Sequence, residues 1–233
     1  MKALIFDVFG TVVDWRTGVA DVARTLFADR GIEADPFAFA TAWRAQYDPA
    51  MEKIRAGNRG YVRLDVLHRE NLDTVLADFG LEDQFDEAAL ADFNLAWEKL
   101  PPWPDSVAGL TALKAGHAIA TCSNGSIALM TWLAKFGGLP WDAILGAEIA
   151  RNYKPAREVY LASAAALDLA PGEVMMVAAH NSDLAAAREA GLKTAFFPRP
   201  MEHGPGQTSD LEAASDWDVV AADLEDLAAR LQA

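Results

Sequence analysis

The sequence has one cysteine, few basic residues and no long apolar run, and each shortage excludes a class of protein. A single cysteine, Cys122, in 233 residues can form neither an intramolecular disulfide nor a cysteine-based zinc site. Only 20 lysines and arginines stand against 34 acidic residues, and the net charge of −14 argues against a nucleic-acid or membrane partner. The apolar run 3–6 is too short for a signal peptide, so we expect a cytoplasmic protein.

Common ligand-binding motifs and repeats are also absent from the sequence. There is no GxGxxG, P-loop or HExxH motif, no internal repeat and no low-complexity tract. A small anionic substrate remains compatible with the acidic composition, because one buried arginine can outweigh a diffuse surface charge. The chain therefore has to be interpreted from its pattern of apolar segments and from polar residues at their ends.

The apolar segments predict an α/β fold with a Rossmann-like, doubly wound parallel sheet. Hydrophobic residues make up 52% of the chain, enough for a sizeable core. Short buried strands alternate with helical segments, which is typical of βα units. The predicted strands are 3–6, 117–122, 143–145, 174–178, 194–197 and 219–220.

The segment between the first two strands shows only helical periodicity. Residues 14–18 are expected to form a connection, and helices follow up to Leu100 with a break at Asp48-Pro49. About 80 residues are far more than the dozen or so that a crossover needs. We therefore predict a helical cap subdomain over residues 15–100, inserted into a core formed by residues 1–14 and 101–233.

Polar residues occur where predicted strands end or in the loops that follow them: Asp7, Ser123-Asn124, Lys154 and the segment 180–183. Taken singly, each is more often a turn residue or a solvated charge. The carboxyl ends of parallel strands share one edge of the sheet, which is where ligands bind. A carboxylate, a lysine and a second carboxylate at that edge therefore predict an active site.

Four short segments resemble the four motifs of the haloacid dehalogenase superfamily, in the same order: DVFGT at 7–11, SNG at 123–125, YKP at 153–155 and AHNSD at 179–183. The helical insertion after the first motif is also typical of that family. Most members are phosphatases with a D-x-D first motif, whose second aspartate protonates the leaving alkoxide. Here that second position is Phe9.

Phe9 favours a different leaving group from the phosphatases' alkoxide. An alkoxide needs a proton, whereas a halide ion leaves unaided. Ala179 stands where phosphatases carry another acid, so only Asp7 and Asp183 remain of the usual magnesium ligands. The resemblance thus implies an (S)-2-haloacid dehalogenase that needs no metal or other cofactor and converts short 2-haloalkanoic acids into 2-hydroxy acids.

The resemblance also implies a role for each matching residue of the predicted active site. Asp7 would be the nucleophile and would form an aspartyl ester that water then hydrolyses. Lys154 would keep Asp7 ionised, and Asp183 would orient Lys154 and is a candidate to activate the water. Thr11 would donate a hydrogen bond to the nucleophile. Tyr160 matches a tyrosine that the family places near the lysine.

Substrate and halide contacts are implied for a second group of residues. Ser123 would bind the substrate carboxylate, while Asn124 and the cap residue Arg44 would hold the departing halide. An arginine on a cap helix is ordinarily solvated, but the WR sequence at 43–44 matches the family. Phe9 and Trp15 are candidate walls of an apolar pocket.

The fourth motif departs from the pattern of many family members at His180. We hypothesise that His180 faces the site and positions the water or the substrate, and a histidine hydrogen-bonded within a loop is the alternative. An aromatic residue that lines the halide site in some relatives falls at Ser182, so the lining must differ here. The sequence leaves the preferred halogen open, fluoride included.

Two other functions remain compatible with the sequence. One is a phosphatase that has lost its usual acid, and the other is a non-catalytic protein that binds a small carboxylate on the same fold. Halide release without metal would distinguish the dehalogenase from both. A homodimer is compatible with the sequence, because the resembling family commonly dimerises through cap or core helices and the tryptophan- and leucine-rich cap surfaces permit it.

Overall fold

The computed structural model describes residues 1–232, and its centre is a five-stranded parallel sheet in the order β2-β1-β3-β4-β5. Phe6 of β1 pairs with Thr121 of β2 on one side and with Val177 of β3 on the other, so the ends of these strands are aligned. The predicted α/β fold is confirmed. The strands are β1 (Ala3–Phe6), β2 (Ala118–Thr121), β3 (Val174–Ala178), β4 (Lys193–Phe196) and β5 (Val219–Val220).

Helices fill the remaining layers: α1 to α6 lie between β1 and β2 in the chain, and the first five of these fall within residues 15–100. No helix within residues 1–232 combines the length and the hydropathy that a membrane span requires. The helices are α1 (Trp15–Arg30), α2 (Pro36–Ala45), α3 (Tyr47–Arg55), α4 (Leu64–Asp78), α5 (Glu87–Asn94), α6 (Ser106–Lys114), α7 (Ile127–Gly137), α8 (Ala147–Ala150), α9 (Arg157–Ala166), α10 (Asn181–Glu189) and α11 (Leu224–Gln232).

The central strands β1 and β3 are buried on both faces of the sheet, as their continuous apolar runs require. Successive side chains of a strand point to opposite faces. Leu4 and Phe6 accordingly pack into one hydrophobic cluster, whereas Ala3 and Ile5 pack into another on the opposite face. A polar residue placed just beyond such a strand is held by a rigid, fully buried support.

The inserted helices have an aromatic core that continues into the sheet's own core through Phe9. Phe39, Trp43 and Phe93 pack against one another with ring centroids 5.4 to 6.1 Å apart. The ring of Phe9 meets Trp97 edge to face at 5.8 Å. The position that distinguishes this chain from D-x-D phosphatases is therefore packed against the inserted helices.

The two connections between the sheet and the inserted helices run side by side. The backbone N–H of Asp14 donates to the carbonyl of Pro101, and that of Trp103 donates to the carbonyl of Val12. These bonds fix the point where the chain leaves the sheet layer next to the point where it returns.

The segment 14–18, which was predicted to be a connection, already belongs to a helix. Helix α1 begins at Trp15, and the Asp14 side chain accepts a hydrogen bond from the N–H of Thr17. Asp14 is therefore an N-cap residue, which is a common role for aspartate at a helix start.

The predicted strand 143–145 is also wrong. Ala143 forms only an isolated bridge with Ala120, and no ladder of the kind that defines β1 to β5 extends from it within residues 1–232. One bridge leaves the segment next to the edge of β2 without making it a sixth strand.

Candidate active site

The four predicted polar segments lie at one edge of the sheet. Asp7 follows β1, Ser123 and Asn124 follow β2, and His180 follows β3. Because the last residues of these strands are paired, the residues after them emerge side by side. Lys154 reaches the same edge from the loop between α8 and α9.

Lys154 bridges two carboxylates at the centre of the site. Its Nζ donates to Asp7 Oδ1 at 2.8 Å and to Asp183 Oδ2 at 2.5 Å, and all three side chains are buried. Burial lowers the pKa of Lys154, but Asp183 and Asp7 outweigh it and raise the pKa above its usual value. The backbone N–H of Lys154 donates to Asn124 Oδ1, and Tyr160 donates its hydroxyl proton to Asp183 Oδ1 at 2.6 Å.

Asp7 is held as an ionised carboxylate by its neighbours. Burial raises its pKa, but Lys154 and His180 outweigh burial and hold the pKa well below its usual range. The Thr11 hydroxyl donates to Asp7 Oδ2 at 2.6 Å, and Thr11 itself accepts from the N–H of Ala179. A charged, fixed carboxylate that faces a cavity is suited to nucleophilic attack.

His180 lies between Asp7 and a second acid that the sequence interpretation did not include. Its Nδ1 lies 3.1 Å from Asp7 Oδ2, and its Nε2 lies 2.8 Å from Glu202 Oε2. Burial lowers the pKa of His180, but Glu202 and Asp7 raise it well above the usual value. Glu202 lies in the loop between β4 and β5, and no sequence signal separates it from the chain's other acidic residues.

A cavity of about 200 Å³ opens beside Asp7. Its wall combines apolar side chains with the charged groups described above. Arg44 contributes from α2, its guanidinium stacked 3.8 Å above the ring of Tyr47. Arg44 Nη1 is buried and finds no hydrogen-bond partner among residues 1–232. The lining residues are Asp7, Phe9, Arg44, Tyr47, Asp48, Met51, Asn124, Lys154, Pro155, His180, Ser182 and Asp183.

Four of the predicted site residues lie behind this wall and do not line it. Thr11 and Tyr160 contact the lining carboxylates through the hydrogen bonds given above. Ser123 is fully buried, and its Oγ accepts a bond from the N–H of Gly125. Trp15 was expected in the apolar wall, but its indole N–H instead donates to Glu202 Oε1 at 2.9 Å.

A buried histidine, His68, lies behind Phe9 and was not noticed in the sequence. Its ring stacks on Trp97 with centroids 4.2 Å apart, and its edge faces Phe9. Burial and the nearby Arg44 lower the pKa of His68 well below its usual value, so the ring is neutral. No sequence signal separates it from an ordinary helix residue of α4.

The single thiol of the chain lies directly behind the site. Cys122 follows β2 and is fully buried, and the Ser163 hydroxyl donates to its sulfur. Burial raises the pKa of Cys122 to about 12. The thiol therefore keeps its proton at neutral pH.

Comparison with known proteins places this site in a family. The family model described as haloacid dehalogenase-like hydrolase matches residues 1–191. The chain belongs to the haloacid dehalogenase-like hydrolases. The resemblance stated from the four sequence motifs is thereby confirmed.

Several relatives of this haloacid dehalogenase-like hydrolase carry a more specific name. The (S)-2-haloacid dehalogenase of Xanthobacter autotrophicus is 30% identical over 201 residues, which cover 85% of this chain and 76% of that protein. The crystal structure of the defluorinating L-2-haloacid dehalogenase Rha0230 is 51% identical, with a TM-score of 0.98, covering 100% of this chain and 96% of that one. A structure of the X. autotrophicus enzyme with chloropropionic acid covalently bound is 26% identical, with a TM-score of 0.81 over 100% of this chain and 98% of that one.

Many haloacid dehalogenase-like hydrolases use magnesium, but the residues here do not fit that ion. The two candidate carboxylates, Asp7 and Asp183, are already bridged by the Lys154 ammonium group. A divalent cation between them would lie against that positive charge. No group of three or more histidine, cysteine or acidic side chains is arranged to hold a metal within residues 1–232.

Proposed function

We propose that the protein hydrolyses short 2-haloalkanoic acids to 2-hydroxy acids through a covalent aspartyl ester, as an (S)-2-haloacid dehalogenase that needs no metal. The observation that carries this proposal is the ionised Asp7 beside the Lys154 ammonium, with Phe9 two residues further on. The ion pair supplies a nucleophile without a cation. The apolar ring leaves no acid for an alkoxide leaving group.

In the first half-reaction, a carboxylate oxygen of Asp7 attacks the halogen-bearing carbon of the substrate. The new carbon–oxygen bond forms as the carbon–halogen bond breaks, and the halide leaves with the bonding electron pair, with inversion at carbon. Arg44 and Asn124 line the cavity and would hold the departing anion. The buried, unpartnered Nη1 of Arg44 supports this role, because such a donor is costly unless it binds something.

In the second half-reaction, water attacks the ester at Cγ of Asp7. The bond from Cγ to the substrate oxygen breaks, so the product keeps the oxygen that came from Asp7 and the carboxylate regains one from water. Thr11 and Lys154 hold the carboxyl group in place throughout. Asp183, itself held by the Tyr160 hydroxyl, in turn holds Lys154, and Ser123 shapes the turn that would receive the substrate carboxylate.

The size of the cavity and the named relatives support a short substrate. About 200 Å³ shared with charged side chains suits a haloacetate or a 2-halopropionate of the L series better than a long-chain acid. Similarity to a defluorinating L-2-haloacid dehalogenase supports fluoride among the halides released. We propose residues 15–100 as the cap that closes over the substrate, with residues 1–14 and 101–233 as the core. A homodimer and a cytoplasmic location stay predictions.

The test is halide release from chloroacetate, fluoroacetate and both 2-chloropropionate enantiomers in buffer containing a chelator. Release of halide with formation of the 2-hydroxy acid is the expected result. A requirement for magnesium together with cleavage of p-nitrophenyl phosphate would establish the phosphatase alternative instead. Binding of these acids without turnover would establish the non-catalytic one.

The covalent step has its own test in water labelled with heavy oxygen. In a single turnover with enzyme in excess, the label should enter Asp7 and not the product. Asp7→Asn should abolish halide release, whereas Asp92→Asn, at an exposed position on α5, should leave it unchanged. Label that appears directly in the product would refute the ester.

A further inference from the structure

Glu202 is a buried carboxylate with a hydrogen-bond partner for each of its oxygens. It is 1% exposed, and an isolated buried carboxylate is costly unless it is paired and hydrogen-bonded. Its Oε2 pairs with His180 Nε2, and its Oε1 accepts from the Trp15 indole. Both oxygens are therefore used, one of them for the ring that contacts Asp7.

The first turn of the chain leaves space for this carboxylate at Gly10. A Cβ at that position would lie 2.0 Å from Glu202 Oε1, and the backbone of Gly10 has φ +84°, which favours glycine. Gly10 thus lets the chain turn after Asp7 and, because it has no side chain, also leaves room for the Glu202 carboxylate. A loop that follows β4 is in this way joined to the turn that follows β1.

Asp183, the sequence-based candidate for activating the water, is fixed through both of its oxygens. Its Oδ2 accepts from Lys154 and its Oδ1 accepts from Tyr160. His180 also lines the cavity, and its Nδ1 contacts a carboxyl oxygen of Asp7, the residue that would carry the ester. The carbon that water must attack is one bond away from that oxygen.

We propose that His180 is the general base that activates the water of ester hydrolysis, and that Glu202 is the positioning residue that fixes the tautomer of His180. This inference rests on the proposed function and assigns the proton transfers of its second half-reaction. Glu202 accepts a hydrogen bond from the N–H at Nε2 of His180. The proton of the neutral ring is therefore kept on Nε2, and Nδ1 is the basic nitrogen beside Asp7. A base within direct reach of the attacking water typically contributes about 10²- to 10⁴-fold to the rate.

The charge balance around His180 changes when the ester forms. In the free enzyme His180 lies between the carboxylates of Asp7 and Glu202. The other charged or titratable groups nearby are Lys154, which contacts Asp7, and Arg44 and His203, which lie near Glu202. Esterification removes the charge of Asp7, so the imidazolium loses one of its two partners and releases a proton to solvent. The first half-reaction therefore converts His180 into the base that the second one needs.

The proton steps then balance. Neutral His180 takes one proton from water as its oxygen bonds to Cγ of Asp7. When the Cγ–O bond to the substrate breaks, His180 returns that proton to the departing alkoxide, which becomes the hydroxyl of the product. The new carboxylic acid of Asp7 passes its remaining proton to His180, which restores the starting state. One proton and one halide ion are released per turnover.

The experiment separates the two half-reactions by rapid quench with 2-chloropropionate, with halide release and intact-protein mass measured in parallel. His180→Gln should retain a halide burst within a few-fold of wild type, accumulate the ester and hydrolyse it about 10²- to 10⁴-fold more slowly. Glu202→Gln should also accumulate the ester, because the amide can donate to Nε2 and favour the wrong tautomer. Glu225→Gln, at an exposed position on α11, is the matched control and should behave as wild type.

A pH profile of ester hydrolysis distinguishes positioning by Glu202 from a structural role. Glu202→Gln removes a negative charge beside His180, so the acidic limb of that profile should move to lower pH while the maximal rate falls. An ester that decays at the wild-type rate in His180→Gln overturns the proposal, as does an equal loss in both half-reactions. Absence of halide release from 2-chloropropionate by the wild type would instead refute the proposed function.

Discussion

Replacing Lys154 by methionine removes the ammonium group and keeps a flexible side chain of similar length. Coulomb's law over the 2.8 Å to Asp7 gives an attraction of about 6 kcal/mol at an effective dielectric constant of about 20. Part of this attraction offsets the cost of burying the charges. Removing one partner of a buried ion pair costs a net of about 3–5 kcal/mol, because the other charge stays buried and unpaired. We expect the free energy of unfolding to fall by about that amount at neutral pH.

The pH dependence of this loss follows from Asp7. Its pKa is depressed in the folded wild type, so its contribution to stability is present above the unfolded pKa, about 4, and is lost as the pH falls through the folded value. Without Lys154, less positive charge offsets the effect of burial on the pKa of Asp7. The ionised carboxylate then destabilises the fold. The difference between the two proteins should therefore be largest at neutral pH and shrink in acid.

Urea denaturation followed by tryptophan fluorescence measures the loss of stability, and single-turnover halide release measures the nucleophile. Lys154→Met should abolish the halide burst, and a further Asp183→Asn change should recover part of the stability but none of the burst. Lys135→Met, at an exposed position on α7, is the control. A loss below about 1 kcal/mol, the size expected for an exposed pair, would refute the reasoning.

Three further substitutions test other contacts of the site. Tyr160→Phe removes the 2.6 Å hydrogen bond to Asp183 and should lower the free energy of unfolding by about 1–3 kcal/mol in urea; no change would show that the bond contributes nothing. Gly10→Ala meets both a positive φ and the Glu202 carboxylate, so it should cost about 1–3 kcal/mol and lower the melting temperature measured by calorimetry. An unchanged melting temperature would contradict that clash. Arg44→Lys keeps the charge but loses the stacked, planar donors, so chloroacetate turnover should fall about tenfold or more, and an unchanged kcat would remove Arg44 from the halide site.

The convergence of Asp7, Asn124 and His180 could be predicted because it depends on topology, whereas Lys154 enters from a loop between two helices and was indicated by the motif resemblance. A buried strand can be identified from a continuous apolar run, and parallel strands place their carboxyl ends on one edge. The predicted strands at 3–6 and 174–178 have the bounds that the structure gives to β1 and β3. Polar residues just beyond such strands are then brought together whatever the loops between them do.

Glu202 could not be located in the same way, although it contacts His180, which in turn contacts Asp7. It lies in a loop without periodicity, and its burial depends on Trp15, Gly10 and His180 from distant parts of the chain. Trp15 was placed in the apolar wall on the basis of its size alone. Its indole N–H instead donates a hydrogen bond to Glu202, and only tertiary contacts could indicate this.

The burial of Cys122 matters for a protein whose proposed substrates are alkylating agents. A thiolate attacks a 2-haloacid at the same carbon that Asp7 would attack and is left as an S-carboxyalkyl adduct that water does not cleave. Only the deprotonated sulfur reacts, and burial raises the pKa of Cys122 to about 12. The single thiol of the chain, the kind of side chain that such acids alkylate most readily as its thiolate, is thus kept enclosed and protonated behind the proposed site.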